Sequence, residues 1–75
     1  MKPVLVESTA LTTVAYDAER MILQLAFRDQ AVYHYFDVPA DLYQGLLDAP
    51  SKGHYFNRRI RCQFQRLRLH TPPLS

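Results

Sequence analysis

The sequence has one cysteine, Cys62, and only two glycines in 75 residues. A single cysteine excludes an internal disulfide, so stability must come from packing, and a reducing compartment is expected. The scarcity of glycine, with 48% hydrophobic and 12% aromatic residues, argues against a disordered arm and indicates a globular protein. A chain of this length holds one hydrophobic core. We expect a single domain over residues 1–70 and a disordered tail over residues 71–75.

Long apolar runs are also lacking. No segment approaches the roughly 20 apolar residues that a membrane helix requires. Glu7 interrupts the apolar start at residues 1–6, which is too short for a signal peptide. These features predict a cytoplasmic protein that does not associate with membranes.

Patterns typical of catalytic and metal sites are missing from the sequence. His34, His54, His70 and Cys62 lack the short paired spacings of zinc ligands. There are no paired carboxylates, no glycine-rich loop and no Ser-His-Asp order. We therefore expect a protein that is not an enzyme and that holds neither a cofactor nor a metal.

Acidic residues are absent from residues 51–70, which carry six basic side chains. The preceding 50 residues carry seven acidic and three basic side chains, so the net charge of +2 conceals a segregation of charge. A basic face attracts polyanions through release of their counterions. The alternative is that the basic segment packs against the acidic strands, with its charges paired or solvated.

Hydrophobic periodicity predicts an antiparallel meander of three strands. Residues 11–16 are rich in β-branched and aromatic side chains, and residues 21–27 place large apolar side chains at every second position. After a reversal, residues 31–36 alternate again. The short connections favour antiparallel pairing.

A first helix is predicted to begin near Val38, since Pro39 and Asp41 are typical of a first helical turn. Pro50 ends it. Gly45 within it costs about 1 kcal/mol relative to alanine. This cost indicates that a neighbouring element approaches closely.

A second helix and a last strand complete the predicted α+β fold. Ser51 is a good N-cap for a basic helix over residues 52–61. Within residues 64–69, leucine and arginine alternate from Arg66 to Leu69, which predicts a strand with Leu67 and Leu69 inward and both arginines outward.

The order of these motifs resembles the KTSC domain family over residues 8–68. The matching motifs are Tyr33-x-Tyr35, Val38-Pro39, a short helix, Ala49-Pro50-Ser51-Lys52-Gly53, Tyr55-Phe56-Asn57 and Ile60-Arg61. That family occurs at the C-terminus of some lysyl-tRNA synthetases and as small free-standing bacterial proteins. The resemblance implies a bacterial domain of unknown function, for which the synthetase fusion suggests RNA binding.

Two features could bind nucleic acid. The helix start at Ser51, Lys52 and Gly53 combines unpaired N–H groups, a helix dipole and a lysine, which together could hold a phosphate. Alternatively, Ser51 only caps the helix and Gly53 relieves packing. Tyr33 and Tyr35 point to one side of their strand and could stack with two bases or belong to the core. The pattern leaves both alternatives open.

We therefore predict a small nucleic-acid-binding module that prefers RNA and contacts phosphates with a stripe of arginines. The alternative is a protein-interaction module that docks on an acidic partner or on a second copy of itself. The candidate nucleic-acid contacts are Tyr33, Tyr35, Ser51, Lys52, Gly53, Tyr55, Arg58, Arg59, Arg61, Arg66 and Arg68.

Overall fold

The computed structural model describes residues 2–69, which form a five-stranded antiparallel sheet and two helices. The strands lie in the sheet in chain order, and both helices precede the last strand. The elements are β1 (Val4–Leu5), β2 (Leu11–Asp17), β3 (Ile22–Phe27), β4 (Val32–Tyr35), α1 (Ala40–Asp48), α2 (Lys52–Arg59) and β5 (Arg66–Arg68). The predicted α+β class, with its meander, two helices and final strand, is confirmed.

The first strand was not predicted from the sequence. β1 contains two exposed residues that pair with Val14 and Thr13, and a strand this short has no measurable periodicity. The disordered tail predicted for residues 71–75 lies outside the described residues. No helix within residues 2–69 is long and apolar enough to cross a membrane.

The two hairpins of the meander turn without glycine. Asp17 accepts hydrogen bonds at Oδ1 from the N–H groups of Glu19 and Arg20, at 3.1 and 3.2 Å. Asp29 accepts one in the same way from Ala31 at 3.0 Å. These side chains replace backbone partners in the turns. The left-handed positions fall on larger residues, with φ of 56° at Met21 and 73° at Gln30.

The pairing of β3 with β4 decides which face of the sheet is buried. Leu23 lies opposite Tyr35 and Leu25 opposite Tyr33, and residues directly opposite each other share a face. Leu23, Leu25 and Tyr35 are fully buried. The tyrosines therefore lie on the helix-covered face, and His34 lies on the other, the open face.

Both helices pack on the covered face. From α2, the ring of Phe56 meets Tyr35 edge to face at a centroid distance of 5.6 Å, and Phe27 at 5.3 Å. From α1, Tyr43 stacks on Tyr16 of β2 at 5.0 Å. Such aromatic pairs contribute about 0.5–1.5 kcal/mol each beyond the area that they bury. Leu46 and Ile60, both fully buried, complete the same cluster.

The first helix begins two residues later than predicted. Pro39 is its N-cap, in an extended conformation with ψ of 150°, so the helix starts at Ala40. Val38 belongs instead to the loop: its side chain is fully buried, and its N–H donates to the carbonyl of Met21 at 2.9 Å. The carbonyl of Val38 accepts a hydrogen bond from the Tyr16 hydroxyl at 2.5 Å. The helix ends at Asp48, before Pro50, as predicted.

The predicted cap of the second helix is confirmed. The Ser51 hydroxyl accepts a hydrogen bond from the N–H of His54 at 3.3 Å. The helix ends at Arg59 rather than near Arg61, because the N–H groups of Ile60 and Arg61 both donate to the carbonyl of Phe56 in a closing turn.

The predicted orientation of the last strand is wrong. Arg66 lies opposite Tyr35 and Arg68 opposite Tyr33, so both arginines lie on the covered face. Leu67 lies opposite His34 on the open face and is 56% exposed. The strand is three residues long and lies at the edge of the sheet. Its pairing with β4 determines which of its side chains lie on the covered face. Arginine tolerates this position because its aliphatic stem packs while its charged end remains in water.

We predict that Gly45→Ala is destabilising, although alanine is the better helix former. A Cβ at position 45 would overlap the Tyr55 hydroxyl and lie 2.9 Å from its Cζ. Overpacking of this kind costs about 1–3 kcal/mol. In a Tyr55→Ala background the same change should raise the free energy of unfolding by about 1 kcal/mol. Urea unfolding of the parent protein, the two single variants and the double variant tests this prediction. An equal effect of Gly45→Ala in both backgrounds would contradict it.

We also predict that Gln30→Gly stabilises the domain. Gln30 has φ of 73°, a conformation that costs a residue with a Cβ roughly 1–2 kcal/mol. The matched control is Gln44→Gly at an exposed position inside α1, which should instead lower stability by about 1 kcal/mol. Thermal unfolding should shift in opposite directions for the two variants. Destabilisation by both would show that the turn conformation carries no strain.

Candidate nucleic-acid interface

The start of α2 is largely explained by capping and packing. Besides the Ser51 cap, the Lys52 ammonium donates to the carbonyl of Ala49 at 2.8 Å, at the end of α1. A Cβ on Gly53 would lie 3.4 Å from the Cβ of Ala10, which is an ordinary van der Waals contact. Binding of an anion at this helix start stays a prediction. The Lys52 ammonium already donates a hydrogen bond to the Ala49 carbonyl.

The five arginines divide between two grooves that share no residue. One groove of about 490 Å³ lies at the junction of the helices and is lined by Tyr55, Arg58 and Arg59 together with the Ser51 turn. The other holds about 230 Å³ between α2 and the edge of the sheet. We call it the arginine groove; the lining residues used below are Tyr33, Tyr35, Asn57, Arg61, Arg66 and Arg68. The arginines of the predicted stripe therefore line two grooves, Arg58 and Arg59 one and Arg61, Arg66 and Arg68 the other.

Tyr33 is the centre of the arginine groove. Its ring is half-buried, and the guanidinium carbons of Arg66 and Arg68 lie 5.3 and 5.9 Å from its centroid. These are cation–π distances, which contribute about 0.5–1 kcal/mol at exposed sites. The ring therefore orients two guanidinium groups, and the guanidinium planes are the surfaces that a base could stack on.

Tyr35 cannot serve as a stacking residue. Its side chain has 0% exposure and packs against Phe56, so neither ring face is open to a base. Of the two alternatives left open by the sequence, the structure places Tyr35 in the core and removes it from the stacking candidates. The β3–β4 pairing puts both rings on the covered face, where only Tyr33 reaches the edge.

The arginine groove carries net positive charge. Arg61, Arg66 and Arg68 are exposed, and within residues 2–69 none of them is within 4 Å of a carboxylate oxygen. The same holds in that part of the chain for Arg58 and Arg59. The acidic strands therefore do not neutralise the arginines through ion pairs. Asp29 is the one acidic residue that lines the groove among those described.

One polar group in the groove has no partner. The hydroxyl oxygen of Tyr35 is buried, and no group within residues 2–69 forms a hydrogen bond with it. Burial raises the pKa of this phenol above its ordinary value, and the neighbouring Arg66 opposes the rise. Sequence reasoning missed this hydroxyl, since the burial of a side-chain atom depends on the tertiary packing around it.

The chemistry of the arginine groove suits anions. Planar guanidinium groups present paired N–H donors to phosphate or carboxylate oxygens. No group of three histidine, cysteine or acidic side chains that could hold a metal ion occurs in the part of the chain described. The groove is therefore built from donors rather than from metal ligands.

The chain is similar to a family of domains, to sequence relatives and to a solved structure. The model of the KTSC domain family matches residues 7–64. The chain is 39% identical over 66 residues to an uncharacterised protein of Stutzerimonas stutzeri, covering 88% of this chain and 93% of that one. A crystal structure of a KTSC domain protein from Yersinia pestis superposes with a TM-score of 0.89 at 29% identity, covering 92% of this chain and 97% of that one.

A second kind of relative is much longer. The chain is 34% identical over 59 residues to a lysine–tRNA ligase of Nostoc punctiforme, covering 79% of this chain and 10% of the ligase. The fold, the family-model match over most of the chain and these similarities agree. The chain belongs to the KTSC domain family.

Proposed function

We propose that this KTSC domain binds RNA through the arginine groove, with Arg58 and Arg59 extending the contact along α2. The observation that supports this most is the set of exposed guanidinium groups without carboxylate partners among the described residues. Unpaired positive charges on the surface of a small domain attract a polyanion and release its counterions on binding. The proposed role is binding, without catalysis.

The ligase relatives support RNA as the polyanion. Their name indicates an enzyme that acts on tRNA, and the segment similar to this chain is 10% of its length. A small basic domain carried by such an enzyme is well suited to hold part of the nucleic acid. By extension, we propose that this chain also holds RNA.

The geometry favours single-stranded RNA over a duplex. Base stacking requires planes that are accessible from solvent, and the exposed guanidiniums of Arg66 and Arg68, held over the Tyr33 ring, supply them. In a duplex the bases stack on each other, so only the phosphate contacts would remain. The groove thus combines phosphate contacts with stacking.

We predict that a short single-stranded RNA binds at low salt and that affinity falls steeply as salt rises. The logarithm of the binding constant should fall by about 0.7 per phosphate contact for each unit of log salt. Arg68→Gln should weaken binding and flatten this slope. The matched control is Arg20→Gln, an equal charge change at the exposed β2–β3 turn. This variant should change the affinity and the salt slope much less.

Fluorescence anisotropy at two salt concentrations measures both quantities, with duplex RNA of the same sequence as the comparison. The absence of binding at low salt would refute the proposal. An equal loss of affinity in Arg68→Gln and Arg20→Gln would show that binding is a non-specific charge effect.

The open face of the sheet favours self-association as the second candidate function. Leu5 is 84% exposed and Leu67 56% exposed on this face. The strand positions between them include Thr13, Ala26 and Val32, none of which is charged. A second copy could cover this face with its own, as in a two-fold dimer.

If the open face is an interface, Leu67→Lys should convert a dimer into a monomer while the domain remains folded. Sedimentation equilibrium of both proteins measures this, and circular dichroism verifies the fold of the variant. A monomeric parent protein would exclude self-association through this face.

A further inference from the structure

We propose that the arginine groove contains a site for the terminal phosphate monoester of a nucleic-acid strand, held by Arg61, Arg66 and the buried Tyr35 hydroxyl. The inference rests on the proposed function and specifies which part of the strand the groove recognises. It assigns a role to a hydroxyl that packing alone does not explain.

The unpartnered hydroxyl is the first observation that points to a ligand. Tyr35 is fully buried, its oxygen has no hydrogen-bond partner among the described residues, and its side chain lines the groove. Leaving such a group without a partner costs about 1–3 kcal/mol. Phenylalanine would fill the same core space without this cost. A bound ligand oxygen that accepts a hydrogen bond from the Tyr35 hydroxyl would remove this energetic cost.

The donors around the groove are the second observation. Arg61 and Arg66 are exposed side chains that line the groove from opposite sides, one after α2 and one on β5. Burial raises the pKa of the Tyr35 phenol, and Arg66 lies close enough to the hydroxyl to oppose that rise. Because Arg66 is exposed, its guanidinium can turn to admit an anion oxygen to the hydroxyl. Asn57 adds a side-chain amide to the same rim.

The number of donors fits a phosphate monoester better than an internal phosphodiester. A monoester carries about −1.5 to −2 charge at neutral pH and three acceptor oxygens. A diester carries one charge and offers two free oxygens. Arg61, Arg66 and Tyr35 match three oxygens, and charge-assisted bonds of this kind are roughly twice as strong as neutral ones.

The arrangement of the groove also gives a position for the nucleotide next to the terminal phosphate. Arg66 and Arg68 stand over the Tyr33 ring, next to the proposed phosphate position. With the terminal phosphate at Tyr35 and Arg66, the adjoining nucleotide would lie toward Arg68 and stack on its plane. The site would thus recognise the end of a strand and not its interior.

The test compares a short single-stranded RNA with and without a 5′-phosphate, and the same RNA with a 3′-phosphate, by isothermal titration calorimetry. We expect one phosphorylated end to bind at least about tenfold more tightly than the unphosphorylated RNA, equivalent to about 1.4 kcal/mol. Equal affinity for all three would overturn the inference while leaving RNA binding intact. No binding by any of them would overturn the proposed function itself.

The Tyr35→Phe variant separates the site from packing. It should abolish the preference for the phosphorylated end, and it should keep or raise the melting temperature, because it removes an unpartnered buried hydroxyl. The matched control is Tyr16→Phe, which removes a hydroxyl bonded to the Val38 carbonyl. That variant should lower the melting temperature and leave the preference unchanged.

A second variant keeps the inference falsifiable. Arg66→Gln, at an exposed position, should also abolish the preference for the phosphorylated end without unfolding the domain. Persistence of the preference in either variant would overturn the inference. So would a lower melting temperature for Tyr35→Phe, since it would show that the hydroxyl already has a partner.

Discussion

The pairing of β3 with β4 is the constraint on which the remaining structure depends. Leu23 opposite Tyr35 and Leu25 opposite Tyr33 place four large side chains on one face of the sheet. A slip of one residue between these strands would turn one of the two pairs to the opposite face, so burial fixes this register. The helices then cover that face through Phe56. Because β5 pairs with β4, the same register also places its arginines beside the helices.

This placement explains how a small domain can carry a concentrated positive charge without losing its core. The arginines of β5 stand at the edge of the covered face, exposed to solvent, with their guanidinium groups over the Tyr33 ring. The Arg61 side chain approaches the same groove from beyond the end of α2. The charge segregation in the sequence thus becomes a defined groove, separate from the open face of the sheet.

Local signals in the sequence were sufficient for much of the fold. The alternation in residues 21–27 identified the central strand, the serine at position 51 identified a helix start, and Gly45 identified a close approach, here by Tyr55. The parity of the last strand could not be predicted, because alternating leucine and arginine fits either face. The choice depended on pairing with β4, which is a tertiary feature. The grouping of Arg61 with β5 and the buried hydroxyl of Tyr35 depended on the same long-range contacts.

Mapping of RNA contacts by heteronuclear NMR tests most directly whether the arginine groove is the binding surface. On addition of a single-stranded oligonucleotide, the amide signals of residues 66–68 and of Asn57 and Arg61 should shift most, with the Arg66 and Arg68 guanidinium signals. The open-face positions Thr13 and Ala26 should shift little. The largest shifts at the open face, with none at the groove, would contradict the account.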